Sequence, residues 1–194
     1  MSFAALYEHC QALRTPVDAN AIADFAAKVA KLPRRPQLFR SGTMKSGALR
    51  GTYVRPGQTE HYLAKHCQGL PIVVIARDLN PCWSRFVYVK EVMHLFDESL
   101  ATVSTGEEFE SLLVSMTSPS PGERPAAVNS EILAYWMALG CFCPEELRQE
   151  LQRKREADEK TDLQIATQLR IPEHTISRLF RPNYKAIMAM LGAI

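Results

Sequence analysis

The sequence lacks the features that mark secreted or membrane proteins. Its five cysteines form an odd number without a CxxC pair, and its N-terminal residues lack a basic segment followed by a long apolar run. These absences predict a reduced, cytoplasmic protein. No apolar stretch approaches the roughly 20 residues needed to cross a bilayer, so no membrane span is expected.

Neither positive nor negative charge is in large excess in this sequence. The 23 basic and 21 acidic residues give a net charge of +2. A chain of this overall charge does not by itself indicate a nucleic-acid or membrane partner, and any basic surface must be local.

The pair Cys141 and Cys143 is spaced too closely for a usual zinc ribbon, and two cysteines in an apolar stretch are typical of buried small side chains.

What is present is the composition of an ordinary globular protein. The chain has 194 residues, of which 46% are hydrophobic and 23% charged. This length can bury a sizeable core. We expect one main domain over residues 1–150 and a C-terminal helical pair over residues 151–194.

Hydrophobic periodicity predicts the secondary structure. Residues 33–58 are rich in Pro, Gly, Arg and Ser, which favours short strands or a loop, and residues 117–125 form the clearest linker. Residues 143–160 predict a charged, solvent-exposed helix with many i to i+4 pairs. The other predicted elements are helices at Asp18–Leu32, Trp83–Phe96, Glu107–Met116 and Asn129–Cys143, and a buried strand at Leu70–Ala76.

The pentapeptide Lys90-Glu91-Val92-Met93-His94 lies on one of these predicted helices. In zinc peptidases a His-Glu-x-x-His sequence places two imidazoles one helical turn apart, with the glutamate as the base for metal-bound water. Here lysine replaces the first histidine. A Glu-x-x-His sequence alone is common on surface helices, but Glu131 opens a later helix, where gluzincins carry their third ligand.

Three blocks of this sequence resemble the ImmA/IrrE family of zinc peptidase-like regulators. The segment RFVYVKEVMH matches the family's metal helix, and EILAYWMALGCFCP matches the spacing of its second block. The segment LQIATQLRIPEHTISRLF is similar to its C-terminal element, which is like a helix-turn-helix. The matching positions are Arg85, Phe86, Lys90, Glu91 and His94 in the first block, and Glu131, Ala134, Ala138 and Pro144 in the second.

The resemblance implies an α+β, zincin-like fold that is rich in helices, with a short twisted sheet and a C-terminal pair like a helix-turn-helix. It implies Glu91 as the catalytic base and His94 and Glu131 as metal ligands. Its implied partner is a protein, namely a repressor or antitoxin-type transcription factor of the helix-turn-helix kind. The sequence departs from the family at Lys90, at Met93 and at Tyr135, where the family has asparagine.

Lys90 makes the implied zinc site incomplete. An ammonium with an ordinary pKa near 10.4 is a poor ligand at neutral pH and repels a metal cation. We therefore expect no cofactor and no ordinary zinc hydrolysis, with zinc as the cofactor if the degenerate site still binds metal. We predict instead that the Lys90 ammonium takes the place of the metal, pairing with Glu131 and with Glu91. The alternative is a Lys90 that extends to solvent.

Two other functions stay open from the sequence. The chain could be an active zinc peptidase with a non-standard ligand set, in which His61 or His66 replaces the lost histidine. It could also bind DNA through residues 161–180, where Thr175, Ser177 and Arg178 resemble the start of a recognition helix and Arg170 stands where the turn usually carries glycine. In the peptidase-like family the same helical pair is expected to be a packing element.

Overall fold

The structure is a computed structural model that describes residues 3–57, 62–63, 67, 69–97 and 126–193. The predicted helix Glu107–Met116, the linker at 117–125, His61 and His66 lie outside these residues. The described strands are β1 (Gln37–Ser41), β2 (Gly51–Val54) and β3 (Ile72–Ala76). The described helices are α1 (Phe3–Gln11), α2 (Ala19–Val29), α3 (Pro81–Val92), α4 (Ala126–Phe142), α5 (Glu145–Glu156), α6 (Asp162–Leu169), α7 (Ile176–Leu179) and α8 (Tyr184–Met190). The α+β class predicted from the sequence is confirmed.

The strands form a small mixed sheet in the order β1-β3-β2. The central strand β3 pairs in parallel with β1 and antiparallel with β2. All five residues of β3 are buried, as expected for a run of β-branched side chains covered on both faces. Residues 33–58 therefore contain two short strands. Their composition had favoured either short strands or a loop.

Helix α2 begins where the sequence predicts, because Asp18 caps it. The Asp18 carboxylate accepts a hydrogen bond from the Asn20 backbone N–H, which satisfies one of the unpaired donors of the first turn. The helix ends at Val29, before the predicted end at Leu32. Lys31 adopts a left-handed backbone conformation, with φ of 56°, which stops the helix.

Helix α3 carries the candidate site and is capped in the same way. The Asn80 side chain accepts a hydrogen bond from the Trp83 N–H at 2.9 Å, and Pro81 in the first turn has a φ suited to a helix start. The α-helix ends at Val92, and the chain continues as a 3₁₀ turn, Met93–Phe96. The prediction of one continuous helix to Phe96 was therefore wrong in its last turn, which contains His94.

Helices α4 and α5 meet at Pro144. This residue lacks a backbone N–H and cannot continue α4, so the chain turns there into α5. Most of α5 is charged, as predicted, but only four of its twelve residues are exposed, and Arg148 is buried, with 4% of its surface accessible. Its guanidinium donates to Glu145 and lies over the Tyr184 ring, so this face of α5 packs on the core.

The C-terminal helices pack on the rest of the chain. Helix α6 begins with a reciprocal capping box between Thr161 and Gln164, and it ends at Arg170, whose φ is 53°. Helices α6, α7 and α8 all contribute side chains to the main hydrophobic core, among them Ile165, Leu169, Ile176, Leu179 and Met188. The boundary predicted between residues 150 and 151 lies within α5.

Arg85 joins this C-terminal element to the N-terminal half. Its guanidinium donates hydrogen bonds to the backbone carbonyls of Leu169, Arg170 and Val17. Charged donors make hydrogen bonds that stabilise more than neutral ones. One side chain on α3 therefore fixes the end of α6 and the entry to α2.

Four of the five cysteine thiols are buried and Cys82 is half-buried, and all are unpaired. Cys141 and Cys143 belong to the hydrophobic core, in agreement with their expected role as small apolar side chains. Within the described ranges, no helix combines the length and the apolar character needed to cross a bilayer.

Candidate functional site

The candidate site lies where the end of α3 faces the start of α4. Lys90 and Glu91 come from the last turn of α3, His94 from the 3₁₀ turn that follows, and Glu131 from α4. Ligand-type atoms of Glu91, His94 and Glu131 all lie within 4.8 Å of one another. The structure thus brings together all the residues that the peptidase resemblance implies for the metal site.

The Lys90 ammonium lies between the two carboxylates. Its Nζ is 2.7 Å from Glu91 Oε1 and forms a second ion pair with Glu131 Oε2. Only 15% of the Lys90 side chain is exposed, so the alternative of a lysine that extends into solvent is wrong. The predicted ion pairs with Glu131 and Glu91 are both confirmed.

The two carboxylates keep Lys90 charged. Burial alone would lower the pKa of Lys90, but Glu91 and Glu131 outweigh burial and raise this pKa above its ordinary value. An opposite charge at this distance favours the ionised form of both partners. Lys90 therefore has no free lone pair for a metal ion at neutral pH.

Glu91 and Glu131 respond differently to the same neighbour. Burial raises the pKa of Glu91, and Lys90 opposes this rise only in part. Burial also acts to raise the pKa of Glu131, but Lys90 and His94 outweigh it and hold this pKa below its ordinary range. Two causes produce the difference. The Glu91 side chain is 2% exposed and that of Glu131 is 30% exposed, and the charge of Glu131 further raises the pKa of Glu91.

His94 presents one ring nitrogen to this cluster and the other to a second set of polar groups. Its Nε2 is 3.3 Å from Glu131 Oε1 and 3.6 Å from Glu91 Oε2. Its Nδ1 lies 3.2 Å from Ser130 Oγ and 3.8 Å from Asp97 Oδ2, and the Ser130 hydroxyl donates to that carboxylate. Burial would lower the pKa of His94, but Asp97 and Glu131 raise it.

Ser130 and Asp97 also belong to this cluster, and the sequence did not predict them. Histidines that bind metal ions commonly have their second nitrogen held by a carboxylate or another polar group, which fixes the ring. Two local signals could have found these residues. Asp97 lies three residues after His94, and Ser130 directly precedes Glu131.

Strand β2 forms a close wall beside Glu91. A Cβ atom at Gly51 would lie 2.5 Å from Val87 Cγ1 and 3.0 Å from Glu91 Oε1, so the backbone can approach α3 only because this residue is glycine. Two positions further along β2, the Tyr53 ring lies 5.9 Å from the His94 ring. These contacts bury the carboxylate and the imidazole.

The donor set could in principle hold a metal ion. Two carboxylates and an imidazole are ligand types that zinc accepts, and their atoms are close enough together. Lys90 works against this, since a dication would have to displace the ammonium from both carboxylates while remaining near its positive charge. With Lys90 charged, these residues fit an internal ammonium better than a zinc ion.

The residues of the predicted DNA-binding segment do not share one surface. Thr175 is fully buried, and its hydroxyl donates to the Pro172 carbonyl, so it cannot reach a base. Ser177 is exposed. The Arg178 guanidinium lies 4.5 Å from the centre of the Tyr135 ring, which directs it across α4.

Comparison with models of known protein families, with curated proteins and with solved structures gives no match to this chain.

Proposed function

We propose that this chain is a peptidase-like regulatory protein of the ImmA/IrrE type, in which the Lys90 ammonium replaces the catalytic metal ion. The observation that carries the proposal is the pair of ion contacts from Lys90 to Glu91 and Glu131 beside His94. A zincin-like fold and a C-terminal pair like a helix-turn-helix form part of the proposal. The arrangement of α3, α4 and β2 around one cleft supports it.

The cluster is built for structure rather than for hydrolysis. A zinc peptidase needs a metal-bound water and a carboxylate that is free to accept its proton. Here Lys90 forms ion pairs with Glu91 and Glu131, so an ammonium competes with any metal ion for both carboxylates. The ion pairs of Lys90 can instead hold α3 and α4 in a fixed arrangement, to which another protein can bind.

The proposed partner is a repressor or antitoxin-type transcription factor, and the support for this partner is the resemblance of the sequence blocks. Two observations weigh against the alternatives. An active zinc peptidase with a non-standard ligand set would need the Lys90 ammonium to leave both Glu91 and Glu131, with which it forms ion pairs. DNA binding through residues 161–180 would lose Thr175, which is buried.

A pairwise two-hybrid test against the helix-turn-helix repressors encoded in the same genome examines this proposal. We expect at least one repressor to bind wild type and Glu91→Gln equally, because a protein-binding scaffold needs no general base. Mass spectrometry should find the bound repressor uncut after incubation with the purified wild type.

Two outcomes would contradict the proposal. One is the absence of binding to any repressor. The other is cleavage of a repressor by the wild type but not by Glu91→Gln, which would indicate a working peptidase. Circular dichroism of Glu91→Gln shows whether that variant is folded.

A further inference from the structure

The basic residues of this chain are strongly segregated. Residues 25–59 contain eight basic side chains and no acidic one, although the whole chain carries a net charge of only +2. The other 15 basic residues and all 21 acidic residues give the rest of the chain a net charge of −6. The eight are Lys28, Lys31, Arg34, Arg35, Arg40, Lys45, Arg50 and Arg55. The small net charge therefore hides a strongly basic segment.

Half of these side chains surround one hollow at the C-terminal end of α2. This hollow has a volume of about 670 Å³ and is lined by Lys28, Lys31, Arg34 and Arg35, together with Ala27, Leu32, Pro33 and Asp24. All four basic residues are exposed. Their positions follow from the end of α2 at Val29, the left-handed backbone of Lys31 and the turn into β1.

Little negative charge compensates this hollow. Asp24 is the one carboxylate among the described residues that line it, and it pairs with Arg35 at 2.8 Å. Lys28, Lys31 and Arg34 form no ion pair with a carboxylate in the described part of the chain. Three uncompensated cations around one concave surface attract an anion with several charges.

The positive charge continues along the edge strand β1. Arg40 is exposed on β1, which forms one edge of the sheet. An extended chain advances at most about 3.6 Å per residue, so Arg34 and Arg40 can be separated by up to about 20 Å. The upper limit of this separation corresponds to several successive phosphates of a nucleic acid.

We propose that this basic edge, formed by Lys28, Lys31, Arg34, Arg35 and Arg40, binds nucleic acid through its phosphate backbone. Arginine and lysine are the side chains that neutralise phosphates, and guanidinium groups do so with two parallel hydrogen bonds. Binding of this kind is independent of base sequence. It is also independent of the Lys90 cleft, which contributes none of these residues.

The surface fits a nucleic acid better than a protein or a lipid bilayer. Protein interfaces have an apolar centre with aromatic anchors, and helices that lie in a membrane surface insert aromatic and large aliphatic side chains. Among the described residues of this edge, Leu38 is the one large apolar side chain classed as exposed, at 38%. Charge dominates the remainder.

A fluorescence-polarisation titration of the full chain with a labelled duplex of 20 base pairs tests this proposal. We expect binding at 50 mM salt that weakens steeply as salt increases. The variant Lys28→Gln/Lys31→Gln/Arg34→Gln should bind at least about tenfold more weakly, with a salt slope smaller by about 3. If the triple variant is unstable, the double variant Lys28→Gln/Arg34→Gln replaces it, because it leaves Lys31 with its left-handed backbone unchanged. We expect this double variant to lose less affinity than the triple variant.

The matched control is Arg153→Gln/Lys154→Gln/Lys185→Gln, which removes the same charge from α5 and α8 and should leave binding within about twofold. Four results would overturn the proposal. The first is no duplex binding by the wild type at 50 mM salt, and the second is an equal loss of affinity in the control variant. The third is a loss of affinity confined to Arg178→Gln/Arg181→Gln, and the fourth is equal affinity of the wild type for poly-glutamate or for vesicles of anionic lipid. The third result would move the nucleic-acid site to the C-terminal helices.

Discussion

Replacing Lys90 by methionine removes the counter-charge of two carboxylates and keeps most of the apolar stem. At 2.7 Å from Nζ, Glu91 loses an attraction of about 6 kcal/mol at an effective dielectric constant near 20. The net cost is smaller, because the buried carboxyl can take up a proton instead. Protonating a glutamate with an ordinary pKa of 4.5 at pH 7 costs about 3 kcal/mol.

We therefore expect Lys90→Met to lower the free energy of unfolding by about 3 kcal/mol at pH 7, which agrees with the cost of breaking buried ion pairs. For a chain of this size the thermal midpoint should fall by about 6–12 °C. Urea denaturation and thermal circular dichroism measure the two quantities. The control Lys154→Met removes an exposed ion pair on α5 and should not change stability measurably.

The loss of stability caused by Lys90→Met should also depend on pH. In the wild type the pKa of Glu131 is lowered, so its ion pairs stabilise the fold above pH 4.5, and this stability is lost as the pH falls further. In Lys90→Met the carboxyls become protonated at little cost below pH 4.5. The difference between the two proteins should begin to shrink below pH 4.5 and should continue to shrink as the pH falls through the lowered pKa of Glu131. A variant within about 1 kcal/mol of wild type at pH 7, or an undiminished difference at pH 4, would refute this reasoning.

Three further predictions concern the walls of the site and its supports. Gly51→Ala should lower the free energy of unfolding by about 1–3 kcal/mol, measured by urea denaturation, because the new methyl group would overlap Val87 Cγ1. Arg85→Ala should cost about 1–3 kcal/mol and should speed hydrogen exchange at the end of α6, since three backbone carbonyls lose a charged donor. Asp97→Asn should lower the pKa of His94 in an NMR titration, because Asp97 helps to raise it; an unchanged pKa would show that Asp97 does not act on the ring.

The resemblance to the peptidase family predicted Glu91, His94 and Glu131 as residues of one site, and local periodicity explains why Lys90 and His94 lie on the same side of their segment. Lys90 and His94 are one turn apart in any helical conformation, and the length of Lys90 allows its ammonium to reach two carboxylates. The burial of Phe86 on α3 and of Met93 in the 3₁₀ turn followed from spacing by three and four. The core confirms these side chains as buried.

Contacts between distant segments could not be predicted in the same way. The close approach of Gly51 to Glu91 joins β2 to α3, and the contact of Ser130 with Asp97 joins α4 to the 3₁₀ turn. Neither is visible in a periodic pattern. The turn itself was missed because one 3₁₀ turn hardly changes the spacing of buried side chains.

The central claim is that an ammonium takes the place of a metal ion in this cleft. Metal analysis by inductively coupled plasma mass spectrometry tests it most directly, with wild type and Lys90→His expressed with zinc and then dialysed. We expect substantially less than one zinc per wild-type chain and close to one per chain of Lys90→His, in which the introduced imidazole, His94 and Glu131 would supply three ligands. Stoichiometric zinc in the wild type would contradict the claim.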